Sequence, residues 1–108
     1  MWQRESDESM LVESIGARID AGQLSSLGAV VAEFTSKVWR CRTETSERLN
    51  EHSGEYVVEV RCNDVLVGAG ACPNRKRAKS LAMESTLLNC CPHLLQRLFA
   101  KADGVPVV

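Results

Sequence analysis

The chain has 108 residues, 44% of them hydrophobic, which is room for one domain with a modest core. Its 13 Lys and Arg against 14 Asp and Glu leave a net charge of −1, which speaks against the chain-wide basic footprint of a strong nucleic-acid binder. No run reaches the roughly eighteen apolar residues of a membrane span, and the N-terminal Met-Trp-Gln-Arg-Glu-Ser-Asp-Glu is too polar for a targeting peptide. Five cysteines at irregular spacing fit reduced thiols better than a disulfide framework, so the chain reads as soluble and cytoplasmic or nuclear.

Residues 1–8 lack periodicity and read as a frayed tail. From a candidate cap at Ser9, the residues Leu11, Val12, Ile15 and Ile19 recur at helical spacing, and Asp20-Ala21-Gly22 ends the run. One amphipathic helix cannot bury its own stripe, so it must pack on its own domain or on a partner chain. Ser25 and Ser26 offer caps for a second helix, Leu27 to about Val38, with Leu27, Val30, Val31, Phe34 and Val38 on a broad apolar face. Glu33 and Lys37, four apart in the favourable order, lie towards its other side. From Trp39 to Arg48 the pattern alternates, Trp39, Cys41, Thr43 and Thr45 against Arg40, Arg42, Glu44 and Ser46, as in a half-buried strand. A turn over Leu49 to Gly54 follows.

Glu55 to Cys62 is the clearest strand, with Tyr56, Val58, Val60 and Cys62 on one face. Asn63-Asp64 signals a hairpin, and Val65 to Gly70 returns as a third strand whose glycines imply close backbone approach or a bulge. Cys72-Pro73-Asn74 leads into a helix with Ala78, Ala82, Met83, Leu87 and Cys90 on a narrow buried face, interrupted by Pro92. A short final helix, Pro92 to Ala102, carries Leu94, Leu95, Leu98 and Phe99 before a tail from Gly104. Two helices, three antiparallel strands and two more helices make an α+β domain.

The most informative stretch is Asn74 to Met83, where four cations in five positions, Arg75, Lys76, Arg77 and Lys79, open a helix rich in small residues. Free N–H groups at a helix N-terminus attract anions, and cations there weaken the helix slightly. Their placement therefore points to a phosphate-binding role for Arg75, Lys76 and Lys79. The same run on its own would also fit a solvated start to an ordinary surface helix.

These residues resemble the double-stranded RNA-binding domain, a helix, three-strand, helix family, over about Leu27 to Cys90. Arg75-Lys76-Arg77-Ala78-Lys79 followed by Ala82, Met83, Thr86 and Leu87 is similar to the family's basic helix start. Tyr56-Val57-Val58-Glu59-Val60 resembles its second strand, and Gly68-x-Gly70 its third. The resemblance implies residues 1–24 as a tail and extra helix, 25–91 as the domain and 92–108 as a short helix and tail. It implies that Arg75, Lys76 and Lys79 span RNA phosphates, that Glu33 meets minor-groove hydroxyls and that His52, in the turn between the first two strands, enters a second minor groove. Such contacts read the shape of duplex RNA over roughly 16 base pairs rather than its sequence.

The chain departs from the family pattern at three places. Asn50-Glu51-His52-Ser53-Gly54 lacks the family's Gly-Pro, Ala32 replaces a polar residue beside the glutamate, and Ala71 to Asn74 is a longer connection than usual. Family domains that lose such features serve in protein interaction instead. The expectation is therefore duplex RNA binding within an RNA-processing, silencing or regulatory assembly, or else a homo- or heterodimerisation module of the same fold. For the latter, Leu11, Ile15, Ile19, Leu95 and Phe99 are the candidate interface, unless they pack on their own domain. The cysteines and histidines show no Cys-x-x-Cys pair, and Cys41, Cys62 and Cys90 fall on apolar faces, so no metal or cofactor is expected. No nucleophile with an orienting base is visible, so no catalysis and no small-molecule substrate are expected either.

Overall fold

The computed structural model describes the backbone of residues 2–103 and the side chains of residues 7–101. Helices α1 (Trp2–Asp20) and α2 (Leu27–Phe34) come first, the latter continued by a π turn over Thr35–Trp39. Strands β1 (Thr43–Asn50), β2 (Glu55–Cys62) and β3 (Val65–Cys72) follow, then helices α3 (Arg75–Cys90) and α4 (Pro92–Asp103). The strands form one antiparallel sheet in the order β1-β2-β3. Among the described residues the architecture is α+β, with four helices and a three-stranded sheet.

Helix α1 begins at Trp2, not at Ser9, so the stretch expected to be a tail is helical. A polar segment needs no apolar stripe of its own when it extends a helix already nucleated and packed further along.

The expected strand start at Trp39 is likewise corrected. The N-cap Ser26 accepts a hydrogen bond from the Ala29 N–H at 3.2 Å, and α2 then runs on through Phe34 into its π turn. There the buried Thr35 hydroxyl donates to the Val31 carbonyl at 2.9 Å. Trp39 sits edge-on to Phe34 with ring centroids 5.3 Å apart and an interplanar angle of 69°. Arg40 then takes the left-handed conformation, φ 53°, and ends the helix. Trp39 is thus a helix-end anchor, and β1 starts four residues later.

Strand β1 extends through Leu49 and Asn50, which leaves a turn of residues 51–54. The Asn50 Oδ1 accepts from the His52 N–H at 3.0 Å, and Gly54 supplies a positive φ of 73°. The β2–β3 hairpin turns on Asn63 and Asp64, both at positive φ (50° and 67°), as a two-residue type I′ turn requires. Strand β3 reaches Cys72, so Pro73 and Asn74 alone connect it to α3 and the connection is shorter than expected.

Helix α3 lies against β2 and β3. A Cβ added at Gly70 would come within 2.5 Å of the Ala82 nitrogen and 2.7 Å of the Ala78 carbonyl, so the helix rests directly on the strand backbone. Val58, Val60, Ala78 and Ala82 form this small core. A larger core joins Ile15 and Ile19 of α1, Val30, Val31 and Phe34 of α2, Leu87 of α3 and Leu94, Leu95 and Leu98 of α4. It runs across the boundaries expected at 24/25 and 91/92, so both terminal helices complete the domain. Ile15, Ile19 and Leu95, offered as partner contacts, are buried in it, whereas Leu11 is half-buried and Phe99 is 40% exposed.

Arg97 of α4 adds a polar clamp to this packing. It lies over Gly16, where a Cβ would come within 2.1 Å of its guanidinium, and it pairs with Asp20 at the end of α1. Its Nε donates to Asp20 Oδ1 at 3.3 Å, and Glu13 Oε2 stands 3.7 Å from Nη1. The hydrogen bond from Arg97 holds the Asp20 carboxyl below its ordinary range.

Candidate nucleic-acid interface

Asn74 opens α3 as an N-cap, its side chain accepting from the Arg77 N–H at 3.0 Å. Arg75, Lys76, Arg77 and Lys79 radiate from this first turn, all exposed. Glu47 of β1 is the nearest counter-charge. It stands opposite the buried Val58 in the strand register, which turns it to the sheet face that α3 covers. Arg75 Nε and Nη2 reach Glu47 Oε2 at 2.7 and 2.6 Å, and Lys79 Nζ reaches Oε1 at 3.2 Å. The hydrogen bonds from Arg75, then from Lys79, hold the Glu47 carboxyl below the ordinary glutamate value. Lys76 and Arg77 make no ion pair among the described residues.

The starts of α2 and α3 meet beside this cluster. Ser26, Leu27 and Gly28 face Lys76, Lys79, Ser80 and Met83 across a shallow depression of about 300 Å³. Two helix N-termini and two lysines bordering one depression make a positive concavity suited to an anionic backbone. The exposed positions of α2, Gly28 at the depression and Ala32 one turn on, are small, so few side-chain hydrogen bonds are offered.

Of the residues expected to bind RNA, Arg75, Lys76 and Lys79 are brought together. His52 lies in the exposed turn at the same end of the sheet, since Tyr56, just after that turn, pairs with Cys72, just before α3. Glu33 is directed elsewhere. Its Oε2 accepts from Arg18 of α1 at 2.8 Å and lies 3.2 Å from Lys37 Nζ. Burial pushes the Glu33 carboxyl up, but Lys37 and Arg18 outweigh it and hold the group below its ordinary value. Sequence reasoning missed Glu47. The signal available was its place in the alternation of β1, but Thr43 to Asn50 had no readable register before β2 was paired with it.

The five cysteines are free thiols. Burial, then the neighbouring Cys41 thiol, pushes Cys62 up to about 12, and burial, then Cys91, pushes Cys90 up to about 11. No group of three or more His, Cys, Asp or Glu able to hold a metal occurs among the described residues. A further depression of about 360 Å³, lined in part by Val12, Phe34, Val38, Trp39 and Cys90, leaves Trp39 40% exposed. No described helix is long and apolar enough to cross a membrane. Compared with known proteins, the chain matches no protein-family model and no curated sequence.

Proposed function

We propose that this chain is a duplex-RNA-binding module resembling the double-stranded RNA-binding domain, which grips the RNA backbone with the start of α3 and catalyses no reaction. The observation that carries the reading is the cluster of four exposed cations around the first turn of α3, two of which, Lys76 and Lys79, face the α2 N-terminus across a shallow concavity. The sheet-then-helix order supports it, as does the seating of α3 on Gly68 and Gly70. A-form RNA offers closely spaced phosphates, and a cationic helix start at that concavity suits their charge and spacing without reading bases.

With Glu33 held by α1 and little polar side chain on the exposed face of α2, minor-groove contacts contribute little. Binding then rests on phosphate contacts and falls in the range of non-specific association, Kd roughly 10⁻⁴ to 10⁻⁶ M at physiological salt. Three such contacts give a slope of log K against log salt of about −2 to −3. Titration of a duplex RNA of about 20 base pairs, longer than the roughly 16 such a domain spans, tests the reading. The wild-type chain should bind with that salt dependence, and Lys76→Glu with Lys79→Glu should weaken binding at least about tenfold.

A second reading, a protein-interaction module of the same fold, draws on the internal pairing of Glu33, Arg75 and Lys79 and on the exposed Trp39 and Phe99. Absence of RNA binding at about 50 mM salt, where phosphate contacts are strongest, together with a dimer mass by light scattering, would favour it.

A further inference from the structure

We infer that Glu47 is an internal competitor for the RNA phosphate, occupying the place between Arg75 and Lys79 that a phosphodiester would take and so setting the affinity of the basic helix start. The inference rests on the RNA-binding reading and adds a regulating residue to its site. Both Glu47 oxygens are engaged, Oε2 by Arg75 at 2.6 and 2.7 Å and Oε1 by Lys79 at 3.2 Å. A carboxylate and a phosphodiester each present two oxygens about one centre. The same two cations cannot hold both anions in the same place.

Position makes the competition effective. Glu47 is carried by a strand in the middle of its pairing with β2, and its side chain is only 20% exposed. It is therefore held at high effective concentration next to its cations, as an intramolecular ligand is. Arg75 and Lys79 are 65% and 52% exposed, so they can turn outward to a second anion. Lys76 and Arg77, outside the pair, meet the RNA first. Transfer of Arg75 and Lys79 from Glu47 to phosphate then leaves a carboxylate beside the RNA backbone. That carboxylate repels the phosphate and recruits a cation from solution, which offsets part of the counterion release that drives binding.

The test is fluorescence anisotropy of a labelled duplex RNA of about 20 base pairs across a salt series, with the full chain as wild type and as Glu47→Gln. Glutamine keeps the shape and one accepting oxygen, and melting curves check that the fold is retained. Glu47→Gln should bind about 2–5-fold tighter, the worth of one exposed charge pair, with a salt slope steeper by about one. In an Arg75→Ala, Lys79→Ala background the same substitution should give little gain. Binding by both proteins with no gain in Glu47→Gln overturns the inference and leaves the RNA reading standing. A full gain in the double-alanine background also overturns it, because general repulsion would then explain the effect. No binding by either protein at about 50 mM salt, where phosphate contacts are strongest, overturns both. Binding by Glu47→Gln alone supports both.

Discussion

Two arginine–carboxylate pairs in this molecule use the same chemistry with opposite faces outward. At the α1–α4 junction the arginine is the buried partner: Arg97 is 14% exposed and Asp20 51%. At the start of α3 the carboxylate is the sheltered one, Glu47 at 20% against 65% for Arg75. The first pair shows water a carboxylate at the end of a helix, and its cation is enclosed between α1 and α4. The second shows water its cations, next to two more that are unpaired among the described residues. The lesson is that the presence of an ion pair says little about its role; which partner faces solvent decides whether another anion can reach it.

The largest expected effect lies beneath the Arg97 clamp. Ile19 is fully buried in the core shared by the four helices. Ile19→Ala should lower unfolding free energy by about 2–5 kcal/mol in urea denaturation. A loss below about 1 kcal/mol, well under the range for a packed core residue, would mean that α1 is an appendage and would remove the structural half of the comparison.

Next come the two arginines themselves. Arg97→Ala should destabilise by about 1–2 kcal/mol, largely through loss of its enclosed guanidinium packed over Gly16, and should leave RNA binding unchanged. Arg75→Ala should scarcely move the melting temperature, because a mostly exposed pair contributes little to stability, yet should weaken RNA binding. Equal effects of both substitutions on melting and on binding would erase the distinction.

The smallest effect concerns pH. Glu47 and Asp20 both have folded-state values held below their ordinary 4.5 and 3.8, Glu47 chiefly by Arg75 and Asp20 by Arg97. A depressed carboxylate binds fewer protons when folded, so its stabilisation is present above the ordinary value and is lost as pH falls through the depressed one. Thermal melts from about pH 5 to about pH 2 should therefore show a falling limb, slightly shallower in Glu47→Gln. An unchanged limb would mean that the Glu47 pairs add nothing to the fold.

Local periodicity made much of this fold legible. Glu55–Cys62 alternates because one of its faces is buried, Asn63-Asp64 accepts the positive φ of a tight hairpin, and Pro92 breaks the helix that ends at Cys90. The cations of α3 were equally plain, being adjacent in the chain. Patterns of this kind depend on neighbours a few residues apart, and the α+β order follows from adding them up.

The sequence by itself thus determined the element types, their order and the basic helix start. Tertiary structure alone decided what those cations face. Arg75 meets Glu47 from 28 residues away, Arg18 takes Glu33 from 15 away, and Arg97 reaches Asp20 across 77. Each pairing depends on strand register or on one helix lying against another, and packing of the whole chain sets both. The family resemblance could therefore offer Glu33 as an RNA contact and local spacing pass over Glu47, because which carboxylate lies beside which cation is a property of the folded surface.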